Sequence, residues 1–177
     1  MLRAAARAFA RAGWAGTSME DVAAEAGVTK LIVYRHFDSK EELYRAVLAR
    51  VAERLRDEFE AGVREGPEVR GVAVRSLLAV AREDPDGFRL LMVHAAREPQ
   101  FAGYAAHYRA EAAAVADRLI GEDVADQALR AWATRTTVAY LVVAVLEWLE
   151  VGDEAMDDHF VERATDALVA MVAAWTT

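Results

Sequence analysis

The sequence has no cysteine, only three prolines and only two lysines among its 177 residues. The lack of cysteine excludes disulfide bonds, thiolate catalysis and cysteine-based zinc sites. The longest apolar run, Val138 to Leu146, has about half of the ~20 residues that a membrane-spanning helix needs, so we expect a cytoplasmic protein without a membrane segment. Phosphate-binding loops, metalloprotease motifs and nucleophile elbows are also missing, and we therefore expect no enzyme, no cofactor and no metal site.

The scarcity of proline and of apolar–polar alternation favours helices over strands. We predict an all-α protein whose nine helices cover about residues 2–12, 19–26, 30–37, 40–62, 69–82, 85–97, 100–120, 123–150 and 154–175. Ser18, Thr29 and Ser39 are the predicted N-caps of the second, third and fourth helices. The first three helices are short, and a turn at Gly27 separates the second from the third. Such an arrangement is typical of a helix-turn-helix unit.

Two segments near the N-terminus carry a more specific signal. FARAGWAGTSMEDVAAEAGVTK (residues 9–30) and VYRHFDSKEEL (residues 33–43) resemble the DNA-binding domain of tetracycline-repressor-type (TetR) regulators at many fixed positions. The resemblance implies a helix-turn-helix domain over 1–46 and an effector-binding and dimerisation bundle over 47–177. It further implies a homodimer that binds a pseudo-palindromic operator on double-stranded DNA, and a repressor that a small-molecule effector releases.

The residues around the third helix are the predicted DNA contacts. Both lysines, Lys30 and Lys40, occupy the first position of a predicted helix, where a cation opposes the helix dipole unless a phosphate binds there. Leu31 and Ile32 depart from the family pattern; they either contact thymine methyl groups or pack on the first or fourth helix. The predicted DNA-binding residues are Thr17, Ser18, Thr29, Lys30, Leu31, Ile32, Tyr34, Arg35, His36 and Lys40.

The overall charge of −8 is unusual for a protein that binds DNA. Residues 1–45, however, carry seven Lys/Arg and six Asp/Glu, a net charge of +1, and the remaining residues carry −9. We therefore expect DNA binding to rely on a few placed cations rather than on a broad basic surface.

The C-terminal part gives weaker signals for an effector pocket and a dimer interface. Aromatic and polar residues on helices five to eight, where ligands of the family bind, predict a pocket formed by Phe88, Leu91, Met92, Phe101, Tyr104, His107, Tyr108, Trp132, Thr136 and Tyr140. The eighth helix is apolar nearly all round, and the ninth has an apolar stripe. These helices predict a dimer interface formed by Val138, Val142, Val145, Leu149, Phe160, Ala164, Leu168, Met171 and Trp175.

Two other functions remain open at this stage. One is an acid–base site or a metal site around His94 and His107. The other is a helical protein-binding module without DNA binding, which the departure at Leu31 and Ile32 would favour.

Overall fold

The computed structural model describes residues 1–65, 71–120, 124 and 126–175, and every regular element in these ranges is helical. A π-helical segment over Leu90–His94 and a 3₁₀ turn over Ala95–Arg97 follow the sixth helix, and another 3₁₀ turn, Glu154–Met156, precedes the last. The all-α class is thus confirmed. The α-helices of the described ranges are α1 (Leu2–Gly16), α2 (Met19–Glu25), α3 (Lys30–Tyr34), α4 (Lys40–Arg64), α5 (Val72–Glu83), α6 (Pro85–Arg89), α7 (Ala102–Ile120), α8 (Gln127–Val151) and α9 (Asp157–Ala173).

Local capping explains where the helices of the N-terminal part begin. The Ser18 hydroxyl accepts a hydrogen bond from the Asp21 backbone N–H at 3.1 Å, and the Asp21 carboxylate accepts one from the Ser18 N–H at 2.8 Å, which completes a capping box. Ser39 caps α4 by accepting from the Glu42 N–H. Thr29 occupies the N-cap position of α3, as predicted, although its side chain makes no capping hydrogen bond.

Several helix boundaries differ from the predicted ones. The backbone of α1 kinks at Gly13, which has a φ of 71°, and the helix then continues to Gly16 instead of ending. The third helix ends at Tyr34 rather than at residue 37. The α-helical part of the sixth ends at Arg89, and the chain continues as the π-helical segment and then as the 3₁₀ turn. The predicted starts of the fifth and eighth helices, at residues 69 and 123, lie outside the described residues.

One hydrophobic core joins the N-terminal and C-terminal parts. It contains Phe9 of α1, Leu43 and Tyr44 of α4, Phe88 of α6 and Phe101, each at most 1% exposed. Because α4 runs without interruption past residue 46, the helix itself connects the two predicted domains. The boundary at 46 stays a prediction.

A cluster of ion pairs also connects these two parts. The Glu83 carboxylate at the end of α5 accepts hydrogen bonds from Arg3 of α1 at 2.5 Å and from Arg54 of α4 at 3.0–3.1 Å. The arginines favour the charged carboxylate more than burial opposes it, so the pKa of Glu83 lies below its usual value. This pairing fixes α1 against α4 and α5.

Candidate nucleic-acid interface and ligand cavity

The third helix presents nearly all of its side chains to solvent. Val33 alone among its five residues is fully buried, and it attaches the helix to the core. Leu31 is 70% exposed, Ile32 38% and Tyr34 41%. Leu31 and Ile32 therefore form an exposed apolar pair on a short helix, and this pair is available for a partner.

The cations on and beside α3 differ in whether they have a carboxylate partner. Arg35 and His36 are exposed, and Arg35 has no carboxylate partner within the described ranges. Lys30 donates to the Glu20 carboxylate of α2 and lies 5.3 Å from the centre of the Tyr34 ring. This hydrogen bond lowers the pKa of Glu20 and raises the pKa of Lys30. A phosphate at Lys30 would have to replace Glu20.

The hydroxyl groups next to α3 have partners inside the protein. Thr17 is 3% exposed, and its hydroxyl lies 2.7 Å from the carbonyl oxygen of Gly13 and 3.2 Å from that of Ala8. The prediction that the Thr17 side chain donates to a phosphate is therefore wrong, because the hydroxyl ties α1 to the start of α2. The exposed Ser18 hydroxyl donates to Asp21 at 2.6 Å.

Lys40 has a structural role that its position in the sequence did not reveal. Its ammonium donates to the carbonyl oxygens of Trp14 at 2.7 Å and Thr17 at 2.8 Å, and it lies 4.3 Å from the centre of the Trp14 ring. Those carbonyls belong to the end of α1, where backbone acceptors have no helical partner. The prediction of a phosphate contact at Lys40 is therefore wrong, since the side chain turns back to join the first residue of α4 to α1.

We expect Lys40→Met to lower the free energy of unfolding by about 1–3 kcal/mol, because two carbonyl groups lose a charged donor. Lys30→Met is the matched control: Lys30 is exposed, and its removal should change stability little. Chemical denaturation of both variants measures the difference. Equal stability of the two variants would contradict the role given to Lys40.

A cavity of about 520 Å³ lies inside the C-terminal bundle. Helices α4, α5, α7, α8 and α9 all contribute to its walls, which are mostly aliphatic and aromatic. The volume is within the range that small-molecule sites have in proteins. Residues on the cavity wall include Leu55, Phe59, Ser76, Leu77, Tyr108, Val115, Thr137, Val138, Leu141, Val142 and Leu168.

The N-terminal part of the chain is similar to a known protein family. The model of bacterial regulatory proteins of the tetR family matches residues 1–47. Over these residues the chain is similar to the DNA-binding domain of the tetR family. The matched region contains α1, α2, α3 and the beginning of α4, and thus includes the exposed third helix.

A curated relative is similar over more residues than the family model matches. The transcriptional activator FasR of Mycolicibacterium smegmatis is 34% identical over 106 residues, which cover 58% of this chain and 48% of FasR. The chain therefore spans about half the length of this relative.

Solved structures share the architecture of the whole chain. A TetR-family regulator from Bordetella parapertussis has a TM-score of 0.75 at 21% identity, covering 94% of this chain and 91% of that one. The FadR regulator of Bacillus subtilis, solved in complex with stearoyl-CoA, has a TM-score of 0.65 at 13% identity, with coverages of 93% and 95%. At these identities the similarity concerns the fold.

The cavity of this chain contains only one of the ten predicted pocket residues, Tyr108. Most of the others lie elsewhere in the bundle. Phe88 and Leu91 belong to the core, Phe101 packs between aromatic rings, and Tyr140 donates to the carbonyl oxygen of Ala164 at 3.0 Å. His107 is exposed beside Glu111. Met92, Tyr104, Trp132 and Thr136 are likewise not part of the cavity wall.

The predicted dimer interface is also corrected in part. Val145 and Ala164 are buried in the core of a single chain, and Phe160 stacks on Trp148 with ring centres 4.7 Å apart. Leu149 packs against the same core. Val138, Val142 and Leu168 line the cavity. Met171 and Trp175 are half-buried, and Trp175 contacts Trp132 edge to face at 4.9 Å.

A different face of α8 is largely exposed to solvent. Leu129, Trp132 and Val143 are 43–53% exposed and recur at helical spacing, with the exposed Ala139 between them. On α9, Val169 is 50% exposed. We call Leu129, Trp132, Ala139, Val143 and Val169 the outer face. By length and composition α8 would be able to cross a membrane, but an apolar helix with a partner surface on each side has the same properties.

Three aromatic rings connect the N-terminal helices to the bundle. Phe101, just before α7, lies 4.8 Å from the ring centre of Trp14 and 4.2 Å from that of Tyr44. Burial raises the pKa of Tyr44 to about 12, with a smaller contribution from Glu98, so its hydroxyl stays neutral. Since α7 also lines the cavity, a shift of α7 would move the rings that support the end of α1.

Proposed function

We propose that this chain acts in the cytoplasm as a homodimeric, sequence-specific transcriptional regulator that releases a pseudo-palindromic operator when a small molecule occupies the cavity. The exposed surface of α3 carries the proposal. In helix-turn-helix proteins this helix enters the major groove, and exposed Leu31 and Ile32 offer apolar contacts for thymine methyl groups. Tyr34, Arg35, His36 and Lys30 supply the polar and charged groups beside them.

The outer face supports the dimer. Pairing α8 and α9 with their copies about a twofold axis would give a four-helix bundle and would cover Trp132 and Val143. Such pairing would also set the separation of the two α3 helices, which must approach about 34 Å to reach successive major grooves.

The cavity supports the response to an effector. Stearoyl-CoA is the ligand named for the B. subtilis FadR structure, and the apolar cavity here agrees with a ligand that has a large apolar part. A ligand that separates α7 from α4 would act on the DNA-binding domain through Phe101 and through α4 itself. The two α3 helices would then no longer fit their grooves.

The proposal also concerns whether the chain represses or activates transcription. We favour repression, whereas the relative FasR is named an activator, so activation is the second candidate. A reporter gene placed behind the selected operator distinguishes them. Deletion of the chain raises expression if it represses and lowers expression if it activates.

Selection of bound duplexes from a randomised pool, read by mobility shift and sequencing, tests the proposal. We expect two related half-sites that contain thymine. Failure to enrich any duplex at low salt, or enrichment of a single asymmetric half-site, would contradict it.

Salt dependence on the selected operator identifies the phosphate contacts. We expect Arg35→Ala and Lys30→Met each to reduce the slope of log K against log salt by about two, one contact in each subunit. Lys40→Met should leave the slope unchanged, because its ammonium already binds Trp14 and Thr17. A reduced slope for Lys40→Met would show that Lys40 contacts a phosphate after all.

A further inference from the structure

We propose that the cavity takes an uncharged, largely apolar molecule with a single hydrogen-bonding oxygen group, and that the Thr137 hydroxyl binds this group. The inference rests on the proposed function, in which the cavity is the effector site. It goes further by naming the chemical class of the ligand and the residue that selects it.

The Thr137 hydroxyl is the observation that carries the inference. The residue is 5% exposed and lines the cavity, yet within the described ranges its oxygen has no hydrogen-bond partner. A buried hydroxyl without a partner is unfavourable, and native proteins contain few of them. A ligand group is one means of satisfying it.

Two other threonines of the chain satisfy their hydroxyl groups locally. Thr165 of α9 donates to the carbonyl oxygen of Val161 at 2.6 Å, four residues earlier, and Thr17 contacts the carbonyl oxygen of Gly13 in the same way. Thr137 lies within α8 and has such a carbonyl four residues earlier, but it does not use it. Its hydroxyl is therefore available to the cavity.

The cavity lining determines the charge of the ligand. Leu55, Phe59, Leu141 and Leu168 supply apolar surface. The charged lining residues are all exposed, which places them at the rim: Arg56, Glu60, Glu111 and Arg118. Because the interior offers no charge, an ion there would lose its hydration without gaining a counter-ion, whereas a neutral oxygen group would lose much less.

Tyr108 agrees with a neutral ligand. It lines the same cavity from α7, and burial, more than the nearby Glu111, raises the pKa of its hydroxyl to about 12. The phenol therefore stays uncharged at physiological pH and adds a second neutral hydrogen-bonding group to the wall.

Three probes with one ring frame test the inference: 2-acetonaphthone, 2-ethylnaphthalene and 2-naphthoate. The first carries a ketone, the second no oxygen and the third a carboxylate. Titration calorimetry gives the affinity of each for the full chain and for Thr137→Val. We expect the ketone-to-hydrocarbon affinity ratio to fall on the order of five-fold in Thr137→Val, and the carboxylate to bind at least about ten-fold more weakly than the ketone.

Control variants separate the hydroxyl from the shape of the site. Thr137→Ser keeps the hydroxyl and should keep the ratio. Thr136→Val changes the neighbouring residue, which does not line the cavity, and should also keep it. Without ligand, Thr137→Val should raise the melting temperature by about 2–4 °C, because it removes the unsatisfied hydroxyl.

Each opposite result overturns the inference. These results are an unchanged ratio in Thr137→Val, no ketone binding up to its solubility limit, carboxylate binding as strong as ketone binding, or a melting temperature that does not rise. If an operator is nevertheless selected, the proposed function stands and only the ligand class is wrong. If no operator is selected, the proposed function fails whatever the probe affinities are.

Discussion

Val143→Arg is expected to yield a folded monomer that binds the operator about 100-fold more weakly, or weaker still. Val143 is 53% exposed on the outer face, so an arginine there does not disturb the core of a single chain. In the proposed dimer the partner subunit covers this residue, so an arginine there would place an unpaired cation against apolar surface in each subunit. A monomer contacts only one half-site, so it lacks the higher affinity that a dimer obtains by binding two linked half-sites at once.

Sedimentation equilibrium and mobility shift measure this effect. Val63→Arg is the matched control, because Val63 has a similar exposure of 48% but belongs to α4. It should stay dimeric and retain operator affinity. Leu129→Arg, on the same stripe of α8, should reproduce the effect of Val143→Arg. Dimers that persist in both α8 variants would show that another surface joins the subunits.

Phe101→Ala is expected to lower the free energy of unfolding by about 3–5 kcal/mol. The ring is 1% exposed and packs between Trp14 of α1 and Tyr44 of α4. Its loss would leave a cavity at the junction of the DNA-binding domain and the bundle. Thermal and chemical denaturation of the full chain measure the change, and a loss below about 1 kcal/mol would contradict the role of this ring.

A double-mutant cycle tests whether these rings connect the two parts directly. We expect Trp14→Leu and Phe101→Leu to be coupled by about 0.5–1.5 kcal/mol, the value typical of aromatic pairs. The control cycle combines Trp14→Leu with Phe88→Leu, since Phe88 is equally buried but has no ring contact with Trp14 among the described residues. Coupling in the control cycle, or additivity in the first, would show that the connection runs elsewhere.

The two lysines show how far the sequence could predict the DNA-binding surface. Both have the same sequence context, a cation at the first position of a helix after a capping residue. In the fold Lys30 stays at the surface beside Glu20, while Lys40 reaches carbonyl groups 23 and 26 residues away in the sequence. The helix-dipole argument is local and could not distinguish them, because the acceptors of Lys40 come from another helix.

Helix α8 shows the same limit for the cavity and the dimer surface. Its apolar residues surround the helix, so their periodicity favours no single direction for the core. Val138 and Val142, predicted to meet a second subunit, line the cavity, while Trp132, predicted to line a pocket, is half exposed on the outside. The sequence does not determine how α8 is rotated about its own axis. The contacts of α8 with α5, α7 and α9 determine this rotation.

The sequence by itself determined the all-α class, the similarity of residues 1–47 to the tetR family, and the capping box at Ser18 and Asp21, because these depend on residues within a few positions of one another. It also determined that Val33 is buried and that Tyr34 points outward, because adjacent residues of a helix face different directions. Tertiary structure alone decided which ammonium stays at the surface, which face of α8 is exposed, and that Thr137 opens into a cavity. Those properties depend on groups that are distant in the chain and become neighbours only when the helices pack.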